Sequence, residues 1–98
     1  MFDDKLVTFI HEPARLTLIT HLASVKQADF VFLLNCTGLS RGNLAVQMTR
    51  LAEKDLVSIE KSFQDNRPRT MYQITKSGRA VLRRYKKAMT KLLSGLNV

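Results

Sequence analysis

Residues 40–75 read SRGNLAVQMTRLAEKDLVSIEKSFQDNRPRTMYQIT, and this stretch decides the fold. Its first part carries apolar residues on one helical stripe, at Leu44, Met48 and Leu51. That spacing of i, i+4 and i+7 predicts a helix with one buried face. After Leu56 the apolar period changes to two, and the turn-rich segment 64–69 separates two alternating runs. The stretch therefore predicts a helix followed by a β-hairpin with a long, basic tip.

The predicted helix, about residues 40–54, has a second face that suits an anion. Ser40 is the expected N-cap, because its hydroxyl can accept a hydrogen bond from a free amide of the first turn. The positive end of the helix dipole lies at the same place and attracts phosphate. No carboxylate occurs on this helix before Glu53. The face opposite the apolar stripe carries Gly42, Asn43, Val46, Thr49 and Arg50.

The sequence around this stretch completes a known arrangement. Pro13-Ala14-Arg15-Leu16 opens a helix, Phe30–Leu34 lies in the next, and Gly38 lies in a short link before Ser40. Gly78 follows the second strand. Over roughly residues 12–89 the chain resembles the winged helix-turn-helix DNA-binding domains of MarR-like and ArsR-like transcriptional regulators. Such proteins usually have Gly where this chain has Asp55, although Asp tolerates the left-handed conformation better than most residues.

The resemblance implies a fold that is mainly α with a small β-hairpin, an α+β winged helix-turn-helix, in one domain of residues 1–98. Residues 40–54 would be the recognition helix and 57–75 the wing. The periodicity predicts the other helices as a short N-terminal one at about 2–10, one from Pro13 to about Ser24, one from Phe30 to Thr37 ended by Gly38, and a C-terminal one at about 76–96.

The C-terminal helix carries an apolar heptad stripe. Its members are Leu82, Tyr85, Met89, Leu92 and Leu96. Intervals of 3, 4, 3 and 4 are typical of a helix that packs along another helix. A chain of 98 residues covers only the first part of such a stripe, so the remainder predicts a dimer interface between two copies.

The candidate DNA contacts are Ser40, Arg41, Asn43, Val46, Gln47, Arg50, Lys54, Arg67 and Arg69. Asn and Gln can pair with adenine edges, Arg can pair with guanine, and Val can touch a thymine methyl, but the sequence does not assign a base to any one of them. The two cations at the helix ends are expected on phosphates, and the two wing arginines on phosphates or in a narrow minor groove. The alternative is an ordinary solvated helix face and a hydrophilic turn.

Charge favours an acidic partner. The net charge is +8 and the isoelectric point is about 10.2. Residues 1–39 hold three Lys or Arg against four Asp or Glu, whereas residues 77–98 hold six against none. Nucleic acid is the first candidate for so basic a chain. The sequence has no apolar run of about 20 residues and no signal-peptide pattern, so we expect no membrane partner and a cytoplasmic location.

No group of residues predicts an enzyme, a metal site or another cofactor. Cys36 is the only cysteine and is expected as a small core residue. The expected function is a homodimeric, sequence-specific regulator of transcription that binds double-stranded DNA, with repression as the default. The alternative is a winged-helix protein-interaction module. The resemblance also suggests a small apolar effector held near Phe9, Tyr85 and Met89.

Overall fold

The described chain, residues 2–98 of a computed structural model, folds into five helices and three short strands. The elements in order are α1 (Lys5–Ile10), α2 (Pro13–Ala23), β1 (Ala28–Asp29), α3 (Phe30–Thr37), α4 (Arg41–Glu53), β2 (Val57–Gln64), β3 (Arg67–Ile74) and α5 (Lys76–Leu93). This is the α+β winged-helix fold that the sequence predicted. Residue 1 of the expected domain lies outside the described residues.

A side-chain oxygen caps the start of every helix. Ser40 Oγ, the predicted cap of α4, accepts from the Asn43 amide at 3.1 Å, and Thr75 Oγ1 accepts from the Gly78 amide at 2.9 Å. The other three caps are carboxylates, of Asp4, Glu12 and Asp29. Because each cap satisfies amides that have no partner within the helix, the helix boundaries follow from local sequence.

Left-handed residues end two of the helices, as the sequence indicated. Gly38 has φ of 72° after α3, and Asp55 has φ of 59° after α4. The Gly38 link turns the chain from α3 into α4, which gives the helix-turn-helix pair. Asp55 therefore adopts the conformation that related proteins usually reserve for glycine.

The wing differs from the expected hairpin in its tip. Strands β2 and β3 pair without interruption from Val57–Ile74 out to Gln64–Arg67. Only Asp65 and Asn66 form the turn, with φ of 52° and 61°, which is the two-residue turn that matches strand twist. The long tip predicted for residues 64–69 is thus wrong, because Arg67 and Arg69 belong to β3. The sequence also missed β1, which pairs Ala28 with Tyr72 at the far edge of the sheet.

One core joins the helices to the inner face of the sheet. Its fully buried side chains include Ile10, Leu18, Ile19, Leu22, Leu33, Leu44, Met48, Leu51, Leu56 and Val81. Tyr85 is also buried, and its hydroxyl lies 2.9 Å from His11 Nδ1. Cys36 is exposed, so its prediction as a core residue was wrong. It lies in the last turn of α3, three residues after buried Leu33, and its thiol donates to the Leu33 carbonyl oxygen at 3.8 Å.

The C-terminal helix is shorter than predicted. It ends at Leu93, and Gly95 with φ of 83° turns the chain before Leu96. Leu96 therefore does not continue the helical stripe. Within the helix, Leu82 and Met89 pack partly against the core while Leu92 remains exposed.

Candidate nucleic-acid interface

The outer face of α4 presents the side chains that the sequence selected. Leu44, Met48 and Leu51 are buried against the core, so the opposite side of the helix faces solvent. The exposed residues on that side are Gly42, Asn43, Val46, Thr49 and Arg50. Val46 keeps 47% of its surface exposed without an apolar partner to cover it. These hydrogen-bonding, cationic and apolar groups are of the kinds that contact base edges in a major groove.

Gln47 does not belong to that exposed face, and here the prediction of a base contact needs correction. Only 9% of Gln47 is exposed. Its side-chain oxygen accepts from Arg15 Nη1 of α2 at 2.9 Å, and its nitrogen donates to Asn43 Oδ1 at 3.2 Å. Both ends of the amide are therefore used inside the protomer. Gln47 connects α2 to Asn43 on the outer face of α4, and its buried amide is not placed to contact a base.

Arg15 is the residue of this site that sequence reasoning missed. Its Nε donates to the carbonyl oxygen of Phe9 at 2.7 Å, and its guanidinium lies 4.4 Å from the centre of the Phe9 ring. These contacts hold the side chain along the corner between α1 and α2. A signal was available, since an arginine in the first turn of a buried helix needs a partner. The identity of that partner depends on the tertiary fold.

Glu12 adds a carboxylate near this corner. Partial burial raises the pKa of Glu12. The amides of Arg15 and Ala14 and the charges of Arg15 and Arg50 lower it by more than burial raises it, so the pKa lies below the usual value of 4.5. Glu12 therefore stays charged at neutral pH, as the cap of α2.

Two cations, Arg41 and Lys54, lie at the two ends of α4, on either side of its exposed outer face. The Arg41 guanidinium lies 5.8 Å from the Phe30 ring centre at the start of the helix, and Lys54 Nζ lies 5.8 Å from the Phe9 ring centre at its end. Both side chains are exposed and make no salt bridge within residues 2–98. This placement suits contacts with the DNA backbone on either side of a groove.

The two wing arginines are not equivalent. Arg69 donates to Gln64 Oε1 across the hairpin, and its Nη2 lies 3.5 Å from Asp29 Oδ2. Arg67 makes no hydrogen bond and no salt bridge with any side chain in the described part of the chain. Arg67 is therefore the freer charge, while Arg69 is partly neutralised by Asp29.

The opposite face of the wing tip is apolar. Phe63 is 78% exposed and stands directly across from Pro68 in the strand register. The two continue the face of Val57 and Ile59, but they extend beyond the protein core. The tip thus has one apolar and one basic side, which sequence periodicity alone did not show.

A groove separates α2 from α5 on another side of the molecule. It has a volume of about 620 Å³, and its apolar lining includes Leu16, Leu82, Tyr85, Met89 and Leu93. Three of the predicted dimer residues, Leu82, Tyr85 and Met89, lie here, and Leu93 was not predicted. Tyr85 contributes only the part of its surface that the core leaves open. Phe9, which was expected beside an effector, lies instead under Arg15.

Within residues 2–98 no three metal-ligating side chains come together, and no helix has the length and hydropathy needed to cross a bilayer. The exposed polar face of α4, its two flanking cations and a basic two-stranded wing are the elements of a winged helix-turn-helix DNA-binding protein.

Comparisons with known proteins agree with this class. Residues 14–93 match the family model of the winged helix DNA-binding domain, and the chain belongs to that family. A transcriptional regulator homologue from Pyrococcus horikoshii OT3 is similar in structure, with a TM-score of 0.86, 27% identity, and coverage of 93% of this chain and 90% of the other. No curated protein matches the sequence.

Two further structures show the same fold at lower identity. Bordetella bronchiseptica BpsR, whose DNA binding is regulated by 6-hydroxynicotinic acid, has a TM-score of 0.68 and 17% identity, with coverage of 95% and 79% of the two chains. A MarR family transcriptional regulator from Silicibacter pomeroyi has a TM-score of 0.64 and 19% identity, with coverage of 95% and 65%. Both structures share the winged-helix fold of this chain.

Proposed function

We propose that this protein is a homodimeric repressor of transcription, acting in the cytoplasm, that binds a specific double-stranded DNA site. The α4 face enters the major groove, and the wing lies on the adjacent backbone or minor groove. Asn43, Val46 and Arg50 read bases, whereas Ser40, Arg41 and Lys54 contact phosphates. Arg67 carries most of the wing's charge contact and Arg69 a smaller part.

The observation that carries the proposal is the exposed, carboxylate-poor face of α4 between two unpaired cations. Val46 and Arg50 lie on this face with no role in the core. The first turn of α4 adds the positive end of the helix dipole. An ordinary solvated helix would gain nothing from an exposed valine at its centre. A major groove gives this valine a thymine methyl and gives the arginine a guanine edge.

The C-terminal apolar surface supports the homodimer. Leu92, Leu93 and Leu96 are each more than half exposed and follow one another at the end of the chain. Together with the neighbouring groove between α2 and α5 they form a surface that a second copy could cover. Two-fold symmetry would then place two α4 helices on half-sites about 34–36 Å apart, on a pseudo-palindromic operator.

The test is a binding titration with fluorescent duplexes, one carrying the DNA upstream of the protein's own gene and one scrambled. If about six phosphates are neutralised, log affinity falls with log salt at a slope near −5. Arg50→Ala should reduce the preference for the specific duplex by roughly 5- to 100-fold, the worth of one bidentate guanine contact. A slope near zero, or an unchanged preference in Arg50→Ala, would contradict the proposal.

Repression is tested separately, with a reporter gene placed behind the specific duplex. Expression should fall when the protein is present and recover with Arg50→Ala. A rise in expression would keep DNA binding but replace repression with activation.

The α2–α5 groove also suits a small apolar effector, since its volume lies within the usual range of ligand pockets. The regulation of BpsR by a small aromatic acid is a precedent within this fold. The competing function, a protein-interaction module, would give a stable protein complex and no DNA binding at moderate salt.

A further inference from the structure

Three side chains, linked by two hydrogen bonds, run from α2 to the outer face of α4. Arg15 Nη1 donates to Gln47 Oε1 at 2.9 Å, and Gln47 Nε2 donates to Asn43 Oδ1 at 3.2 Å. This series of hydrogen bonds starts in α2 and ends on an exposed residue of α4. It holds the two helices together and also has a direction, since each link has one donor and one acceptor.

The guanidinium sets that direction. Arginine has only donors, so the atom of Gln47 that faces Arg15 must be the amide oxygen. The Gln47 nitrogen is then turned towards Asn43, and Asn43 must offer its oxygen in return. The opposite orientation of either amide would place two donors or two acceptors against each other, at a site where Gln47 is 9% exposed.

Asn43 therefore has a fixed outer end. Its Oδ1 is turned inwards to Gln47, whereas Nδ2, with two hydrogens, makes no hydrogen bond within residues 2–98 and lies on the exposed side of α4. An asparagine that is free to rotate can pair with adenine by donating and accepting together. Here the end that faces outwards is a donor.

We propose that Arg15 and Gln47 are positioning residues that make Asn43 select a base with acceptors in the major groove. Guanine is the best match, because its N7 and O6 are both acceptors. Cytosine is the worst, because its major-groove edge offers only the N4 donor. This inference rests on the proposed function and assigns to Asn43 a base that the sequence did not assign.

Gln47→Glu reverses the hydrogen bond between residues 47 and 43, without changing the size of side chain 47 or its hydrogen bond from Arg15. A carboxylate accepts from Arg15 and also from Asn43, so the Asn43 nitrogen turns inwards and its oxygen faces the DNA. The base pair that Asn43 reads should then change preference from guanine to cytosine on the same strand. Gln27→Glu, at an exposed position in the α2–β1 link, adds the same charge without this effect.

The experiment has two parts. Wild type and variants first select sites from a randomised duplex library, and single-base duplexes then measure preference at each position by competition. We expect wild type to favour guanine by about 10-fold at one position of each half-site, the lower end of a bidentate contact. Asn43→Ala should lose preference at that position alone, and Gln47→Glu should invert it. Thermal unfolding confirms that each variant is folded.

The second part needs no DNA. Amide hydrogen exchange by NMR should show one Gln47 side-chain hydrogen protected and the Asn43 side-chain hydrogens exchanging freely in wild type. In Gln47→Glu the Asn43 hydrogens should become protected. Protected Asn43 hydrogens in wild type would overturn the inference.

The two parts separate the possible failures. If wild type selects no duplex but the exchange pattern is as expected, the proposed function fails and the base preference with it. If wild type selects a site and Gln47→Glu keeps the same preference at every position, DNA binding stands and only the positioning role is lost.

Discussion

Gly78 is the most sharply constrained small residue, and replacing it with alanine tests the packing between the wing and α5. A Cβ built at Gly78 would overlap the carbonyl oxygen of Leu56 and lie 2.8 Å from Ile74 Cγ1. The Leu56 oxygen is backbone, accepts from the Thr75 amide at 3.1 Å, and cannot rotate away. The substitution must therefore push α5 from the sheet or break this junction.

The expected magnitude comes from two opposing effects. Overpacking of this kind costs about 1–3 kcal/mol, and a clash with backbone belongs at the upper end. Alanine in a helix recovers about 0.5–1 kcal/mol relative to glycine. The net loss of unfolding free energy is about 2 kcal/mol, which lowers the melting temperature of a domain of this size by about 10 °C.

Gly42→Ala is the matched control. Gly42 is also helical, and a Cβ there would meet no heavy atom within 4 Å. Only the helix-propensity gain remains, so this variant should be stabilised by up to about 1 kcal/mol. Thermal and urea unfolding, followed by circular dichroism at one protein concentration, measure both. Equal effects of the two substitutions, or a stabilised Gly78→Ala, would refute the close approach of α5 to Leu56.

The remaining predictions concern the wing, the dimer surface and acid stability. Arg67→Ala should weaken binding to specific and scrambled duplexes alike and reduce the salt slope by about 1, more than Arg69→Ala does, because Asp29 already pairs with Arg69. Equal losses from the two variants would argue against this. Leu93→Glu should halve the mass found by sedimentation, whereas the exposed Ser77→Glu on the same helix should not; an unchanged mass would move the interface elsewhere. Hydrogen bonds from the Arg84 side chain and the Val7 amide lower the pKa of Asp4 below 3.8. Because this folded-state pKa is depressed, the charged Asp4 stabilises the fold at neutral pH, and Asp4→Asn should lower the melting temperature at pH 7. The difference from wild type should disappear as the pH falls below 3.8. A difference that is the same at every pH would refute the Asp4–Arg84 pairing.

Local chemistry explains why the sequence predicted the helices and the hairpin. Ser40 and Thr75 cap the helices that follow them, and Gly38 and Asp55 take left-handed conformations. Each of these features depends on a few consecutive residues, so it can be read without the rest of the fold. The tip of the wing was not so readable, because Asp-Asn can form a two-residue turn or part of a longer loop. Its length was decided by the pairing of Gln64 with Arg67.

Pairing between distant segments was beyond local reading. Strand β1 has two residues, Ala28 and Asp29, and exists only because Tyr72 and Met71 lie beside it. No periodicity can show a strand of that length. The same limit explains Cys36, whose apolar neighbours in sequence suggested burial. Helix α3 contacts the core through Leu33, and Cys36, in the last turn of the helix, remains exposed.

The candidate site shows where helical periodicity stops being informative. The apolar stripe predicts which residues lie at the centre of the buried face and at the centre of the exposed face. Met48 is buried and Val46 is exposed, as the stripe predicted. Gln47 lies between the two faces, where polarity alone favours solvent. Its position was decided by Arg15, 32 residues earlier, because a nearly buried arginine requires acceptors and Gln47 supplies one of them. Gln47, one of the predicted base readers, is thus engaged inside the protomer, and in our proposal Asn43, one turn earlier, reads a base with its donor fixed outwards.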